Sequence, residues 1–379
     1  MPAKGFRLAL STEFGCMEYR IECTKCGAKN TESAFRCSKC SSILEVVFDY
    51  GTRPKMNPRA RGMFRYSSFL PVAKPFALGE GGTQLKTVKS ADRKFFIKLE
   101  TGNPTGTFKD RGSAVEIAKA LELGADSVVC ASTGNMGLSV AHYARKAGIG
   151  CTIFISGGAN KNKISKIKKE NATVKKVKGD FNAALKLAEA FALRTGAFVC
   201  GDYHYRKEGQ KTVAFEIMEQ LRRHEPDYIF IPVGNATLFS GIYKGITEFK
   251  RFGMARRTPK LIAVQSEKCD PLVAAYADKK RITYMRPKTE ADAIAVGYPT
   301  FGDEALEAIR KTNGSAIAVS ENEIKEAVVA LEKHNIYAEL GGGTGYAGFM
   351  KYSMKHKGMK SKIAVVVITG NNEGVFRKF

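Results

Sequence analysis

Asn103-Pro104-Thr105-Gly106-Thr107-Phe108-Lys109-Asp110-Arg111 joins two segments of different periodicity. Lys94-Phe95-Phe96-Ile97-Lys98-Leu99-Glu100 before it reads as a strand, and residues 113–123 after it carry apolar side chains at helical spacing. Lys109 therefore lies where a helix begins. Cations are disfavoured at that end, because the backbone dipole is positive there. The same field lowers the pKa of an amine and makes it nucleophilic, which imine formation with an aldehyde cofactor requires. The competing reading is a solvated surface lysine in a glycine-containing loop.

Outward from this stretch the chain alternates strand and helix. Short apolar runs at 127–131, 151–155, 197–200, 228–233, 261–264 and 363–368 are separated by helical segments. That order predicts an α/β protein whose parallel sheets are covered on both faces. With 379 residues, 44% of them hydrophobic, the chain is long enough for two or three domains. No apolar run approaches the ~20 residues that span a bilayer, and the first ten residues are too short and mixed for a signal peptide. A soluble, cytoplasmic protein with no membrane partner is expected.

The net charge is +24, with lysine-rich stretches at 161–169 and 175–178. Clustered cations suit a nucleic-acid backbone, but no nucleic-acid-binding motif accompanies them. Lysines 161, 163, 166, 168 and 169 scatter around a short helix, as on a solvated face that draws anionic substrates.

Cys23-Thr24-Lys25-Cys26 and Cys37-Ser38-Lys39-Cys40 form two knuckles separated by ten residues. The two-residue gap lets both sulfurs of a knuckle face one ion, and four thiolates make a closed, structural zinc site. Disulfides or unliganded thiols are the alternative. Of the other five cysteines, Cys130, Cys151 and Cys200 lie in apolar strand-like runs, which fits a reducing compartment.

The stretch around Lys109 resembles the cofactor-lysine motif of threonine synthases, within the pyridoxal-phosphate enzymes that also include serine and threonine dehydratases and cysteine synthases. Further matches follow in order: Leu78-Gly79-Glu80-Gly81-Gly82-Thr83-Gln84-Leu85, Ser132-Thr133-Gly134-Asn135, Arg206-Lys207-Glu208-Gly209-Gln210-Lys211-Thr212, Pro232-Val233-Gly234-Asn235-Ala236 and Ile368-Thr369-Gly370. The resemblance implies pyridoxal 5'-phosphate on Lys109, the catalytic residue. It implies the substrate carboxylate on Ser132, Thr133 and Gly134, and Asn135 beside the cofactor's phenolic oxygen. It also implies the cofactor phosphate on Gly234, Asn235, Ala236 and Thr237, the pyridine nitrogen on Thr369, and substrate phosphate on Arg206. Two doubly wound α/β domains of the type II fold are implied, after a zinc-ribbon-like segment at 20–50. The smaller domain spans 96–199; residues 60–95 and 200–379 form the larger.

Three departures bear on substrate identity. Cys200-Gly201 replaces Asn-Ser, Glu339-Leu340-Gly341-Gly342-Gly343 replaces Glu-Pro-Ala-Ser-Ala, and Ala295 stands where a polar residue is common. Thr237 also replaces a second loop glycine. The resemblance implies a lyase that makes threonine from O-phosphohomoserine. A β-replacement or β-elimination enzyme on a serine-type substrate uses the same lysine, and a noncatalytic, basic zinc-ribbon protein binding nucleic acid is the reading from a different class. A homodimer is compatible with the sequence, which does not fix the assembly.

Overall fold

Hydrophobic alternation and hydrophobic runs divide the chain into a ribbon and two sheets. The computed structural model describes residues 16–51, 54–90, 93–132, 134–156, 161–179, 181–222 and 224–371. The ribbon comprises β1 (Tyr19–Cys23), β2 (Lys29–Asn30) and β3 (Leu44–Phe48), antiparallel in the order β2-β1-β3. Leu44, Val46 and Phe48 alternate inward with Ile21 and Cys23, so one face of the ribbon joins the main core.

The chain continues through β4 (Leu85–Ser90), β5 (Arg93–Leu99), α1 (Lys109–Glu122), β6 (Ser127–Ala131), α2 (Asn135–Ala147), β7 (Gly150–Ser156), α3 (Lys161–Lys169), β8 (Thr173–Val177), α4 (Phe181–Thr195), β9 (Phe198–Cys200) and α5 (His204–Leu221). Then follow β10 (Tyr228–Pro232), α6 (Thr237–Arg251), β11 (Lys260–Ser266), α7 (Pro271–Asp278), α8 (Gly302–Lys311), β12 (Ser315–Val319), α9 (Glu321–Glu332), α10 (Leu340–Lys355) and β13 (Ala364–Ile368). A four-stranded sheet runs β8-β7-β6-β9, all parallel. A six-stranded sheet runs β12-β11-β10-β13-β5-β4, parallel except for the β4–β5 pair.

Each sheet is buried on both faces, as its continuous apolar strands require. In the small sheet, Val128, Cys130, Ile153 and Ile155 join one core while Val129, Ala131 and Phe154 join another. In the large sheet, Ile229, Ile231, Val365 and Val367 face one core, and Phe230, Ile262, Val366 and Ile368 face the opposite one. The expected strands are present. β4, β8 and β12 had no expectation, and all three are edge strands. Residues 96–99 pair with β13, so the strand before Lys109 belongs to the large sheet and not, as expected, to the unit spanning 96–199.

Candidate active site

The turn between β5 and α1 is built by its own side chains. Asp110 accepts from the Thr105 amide (2.6 Å), the Thr105 hydroxyl (2.7 Å) and the Ser139 hydroxyl (2.6 Å). Gly106 adopts φ +81°, a left-handed turn that favours glycine. The Phe108 amide donates to the Thr369 carbonyl at 3.0 Å, tying this turn to the end of β13. Lys109 is the first residue of α1, as expected. Its amine lies 4.8 Å from the Phe108 ring centroid and 3.8 Å from Asp202 Oδ1. Burial pushes its pKa down, with Asp202 opposing and Arg206 adding to the shift.

Across the cavity, Ser132 follows β6 and its hydroxyl accepts from the amides of Gly137 (2.9 Å) and Gly134 (3.3 Å). It therefore shapes the start of α2, as a capping hydroxyl does. Thr133 lies outside the described residues. Asn135 Nδ2 donates to Glu339 Oε1 at 2.5 Å. Glu339 is buried, its other oxygen has no hydrogen-bond partner among the described residues, and burial raises its pKa. Lys163 Nζ lies 2.8 Å from Asp292 Oδ2 and 3.8 Å from Glu339 Oε2.

The loop 234–237 leads from β10 into α6, which starts without a side-chain cap and so leaves amides available to an anion. Ala236 adopts φ +64° in this turn. A carboxylate already rests against the loop: Asp202 Oδ2 accepts from Asn235 Nδ2 and Oδ1 from Thr237 Oγ1, both at 2.6 Å. Burial opposes the charge on Asp202, but Lys109, Arg206 and these two bonds prevail and hold its pKa below the usual range. The loop's donors therefore suit an anion.

Lys109, Ser132, Gly134, Asn135, Gly234, Asn235, Ala236, Thr237 and Thr369 all line one cavity of ≈ 570 Å³. That volume accommodates a cofactor together with a small substrate. One end provides the anion loop, the other a helix start beside Asn135, and a low-pKa amine sits in the same space. This donor set fits pyridoxal phosphate.

Residues 76–370 match the family model described as pyridoxal-phosphate dependent enzyme. The threonine synthase of Methanosarcina acetivorans is 37% identical over 350 residues, covering 88% of this chain and 86% of that protein. The threonine synthase of Methanocaldococcus jannaschii is 35% identical over 349 residues, covering 87% of this chain and 86% of that protein. The chain belongs to the pyridoxal-phosphate-dependent enzymes, among the threonine synthases. Maize serine racemase, at 24% identity, superposes with a TM-score of 0.67 over 77% of this chain and 89% of its own, which speaks for the shared fold.

Arg206 does not reach the cavity of this threonine synthase family member. Gly112 and Gly209 let α1 and α5 cross closely; a Cβ on Gly112 would stand 2.5 Å from Arg206 Cγ. The guanidinium is fully buried beneath α1. It donates to the Lys109 carbonyl (3.0 Å), the Gly201 carbonyl (2.9 Å), Ser113 Oγ (3.2 Å) and the Glu116 carboxylate. The expected contact with substrate phosphate is replaced by support of the turn that carries Lys109. Lys163 and Arg286 are the other cations lining the cavity among the described residues.

Asp202 and Glu339 were missed in the sequence, although each borders a noted departure. Lys163, expected on a solvated face, instead lines the cavity and pairs with Asp292, and nothing in the lysine run distinguishes it from its neighbours. Gly342 of the altered 339–343 stretch has a simple cause, since a Cβ there would stand 2.4 Å from the Gly370 carbonyl.

The four knuckle cysteines lie ahead of the matched family region, and their sulfurs all fall within 4.8 Å of one another. Cys23–Cys40 is 3.5 Å and Cys26–Cys37 is 3.6 Å, far beyond a disulfide bond. Amides of Lys25, Cys26 and Lys39 point at these sulfurs at 3.4 Å, so both knuckles are folded around the cluster.

Proposed function

We propose that this enzyme converts O-phosphohomoserine and water to threonine and phosphate. The observation that carries the proposal is the convergence of Lys109, Asn135, the 234–237 loop and Thr369 on one cavity. Lys109 would hold the cofactor, the 234–237 loop its phosphate, Asn135 its phenolic oxygen and Thr369 its pyridine nitrogen. Bound there, pyridoxal phosphate supplies an electron sink for negative charge at Cα and Cβ of an amino acid.

The chain's own groups then divide the work. Amides at the start of α2, from Gly134 onward, bind the substrate carboxylate, with Ser132 fixing their direction. Lys109 Nζ, its pKa lowered by burial, takes and returns protons at Cα and Cβ. Ala293, Ile294, Ala295 and Val296 give the cavity an apolar wall that limits water. In this reading the cofactor lies between the unit built on β6–β9 and the unit built on the six-stranded sheet.

The four cysteines would hold one structural zinc, since four thiolates leave no open position. All nine cysteines are free of disulfides, which supports a reducing, cytoplasmic setting. The placement of Arg206 favours one second reading, β-replacement or β-elimination on a serine-type substrate, because it leaves the cavity without the expected phosphate ligand. Product analysis with O-phosphohomoserine and O-phosphoserine side by side separates the two. Threonine and phosphate from the first compound are expected; turnover of O-phosphoserine alone would replace the proposal. Borohydride reduction and peptide mapping should leave the pyridoxyl label on Lys109, and a label elsewhere would refute that assignment.

A further inference from the structure

Asp202 has no place in the chemistry described above, yet it touches three residues assigned to the cofactor. It lies 3.8 Å from Lys109 and accepts hydrogen bonds of 2.6 Å from Asn235 and Thr237. The backbone before it is fixed from two sides: the Gly201 amide donates to Glu116 Oε1 at 2.8 Å, and the Gly201 carbonyl accepts from Arg206 at 2.9 Å. Asp202 is buried, and both of its carboxylate oxygens are occupied by donors of the anion loop. A phosphate seated on the same loop would meet a like charge in a partly desolvated site, where such repulsion is poorly screened.

We propose that Asp202 is a built-in counter-anion that occupies the side-chain donors of Asn235 and Thr237 on the cofactor-phosphate loop and competes with that phosphate for them. The inference rests on the assignment of the 234–237 loop to the cofactor phosphate. The carboxylate satisfies these two buried donors and lies beside the Lys109 amine. A phosphate held by the same two side chains would have to displace the carboxylate from them, so the two anions exclude each other there. The consequence is a phosphate affinity lower than the loop alone would give, and Asp202 is thus a positioning residue.

The test uses the full-length, cofactor-free chain and its Asp202→Asn and Asp202→Ala variants, with circular dichroism establishing that each is folded. Inorganic phosphate, pyridoxal and pyridoxal phosphate are titrated separately by calorimetry and absorbance. Both variants should bind inorganic phosphate about tenfold more tightly, and pyridoxal phosphate should gain about tenfold more than pyridoxal does. The pyridoxal arm isolates any change at Lys109 itself. Equal gains for the two aldehydes, or inorganic phosphate affinity that is unchanged or weaker, would overturn the inference while leaving the cofactor assignment standing. Wild-type chain that takes up no pyridoxal phosphate would overturn the assignment on which it rests.

Discussion

Arg206 and His204, two positions apart at the start of α5, show what burial does to single side chains. Removal of Arg206 leaves the Glu116 carboxylate desolvated and unpaired, so Arg206→Ala should cost about 3–5 kcal/mol of stability. Lysine lacks the fork that reaches four acceptors, so Arg206→Lys should recover little of it. Urea unfolding of both single variants and of Arg206→Met with Glu116→Leu measures this. A double variant no more stable than Arg206→Ala would refute the pairing. His204 is buried with neither ring nitrogen hydrogen-bonded among the described residues, and burial lowers its pKa from 6.5 to about 3. The folded state thus binds fewer protons than the unfolded one between those values. The stability contributed by the neutral ring is complete above 6.5 and is lost as pH falls towards 3. His204→Phe should therefore lose less stability than wild type between about pH 7 and about pH 5, by up to roughly 1.4 kcal/mol per unit. Identical losses would mean that His204 titrates normally.

Among the elements, the crossing of α1 and α5 positions the Lys109 amine. A Cβ on Gly209 would lie 2.0 Å from the Arg111 carbonyl, within the first turn of α1. Gly209→Ala must push the helices apart, at about 1–3 kcal/mol or more. Because α1 begins at Lys109, the variant should also hold less cofactor. Thermal melting and the visible absorbance per chain report the two effects, and full cofactor content in a destabilised variant would uncouple them. The crossing is further held by Arg111, whose guanidinium bonds Glu100 (2.6 Å) and Glu216 (2.7 Å) within the core.

For the whole molecule, the ribbon links parts built on different sheets. Arg36 pairs with Glu189 of α4 at 2.9 Å, and Lys119 of α1 donates to Tyr19 at 2.7 Å. Glu45 of β3 receives Lys207 of α5 and Lys244 of α6. A metal that orders the cysteine cluster therefore stabilises contacts to both α/β units. Strong chelation, or Cys37→Ser, should remove one zinc per chain and lower the melting temperature. The label on Lys109 should persist, because none of these ribbon residues lines the cofactor cavity. Unchanged zinc content in Cys37→Ser would disprove the site.

Local chemistry made Lys109, the cysteine cluster and most strands legible in the chain. A turn closed by Thr105, Gly106 and Asp110 needs only residues a few positions apart, as do two knuckles of spacing two. Continuous apolar runs announced β6, β10 and β13 because both sheet faces are covered. β8 escaped notice: it is an edge strand, and Lys175 and Lys176 interrupt its apolar signal. The partners of Arg206, Asp202, Lys163 and Glu339 were illegible for a different reason. Periodicity reports whether a side chain turns inward, but not what it meets. The close approach at Gly112 and Gly209 turned Arg206 from the cavity to Glu116, and the end of β9 carried Asp202 onto a loop 33 residues away in the chain. Charges, unlike apolar groups, need specific partners when buried, and only tertiary packing chooses them.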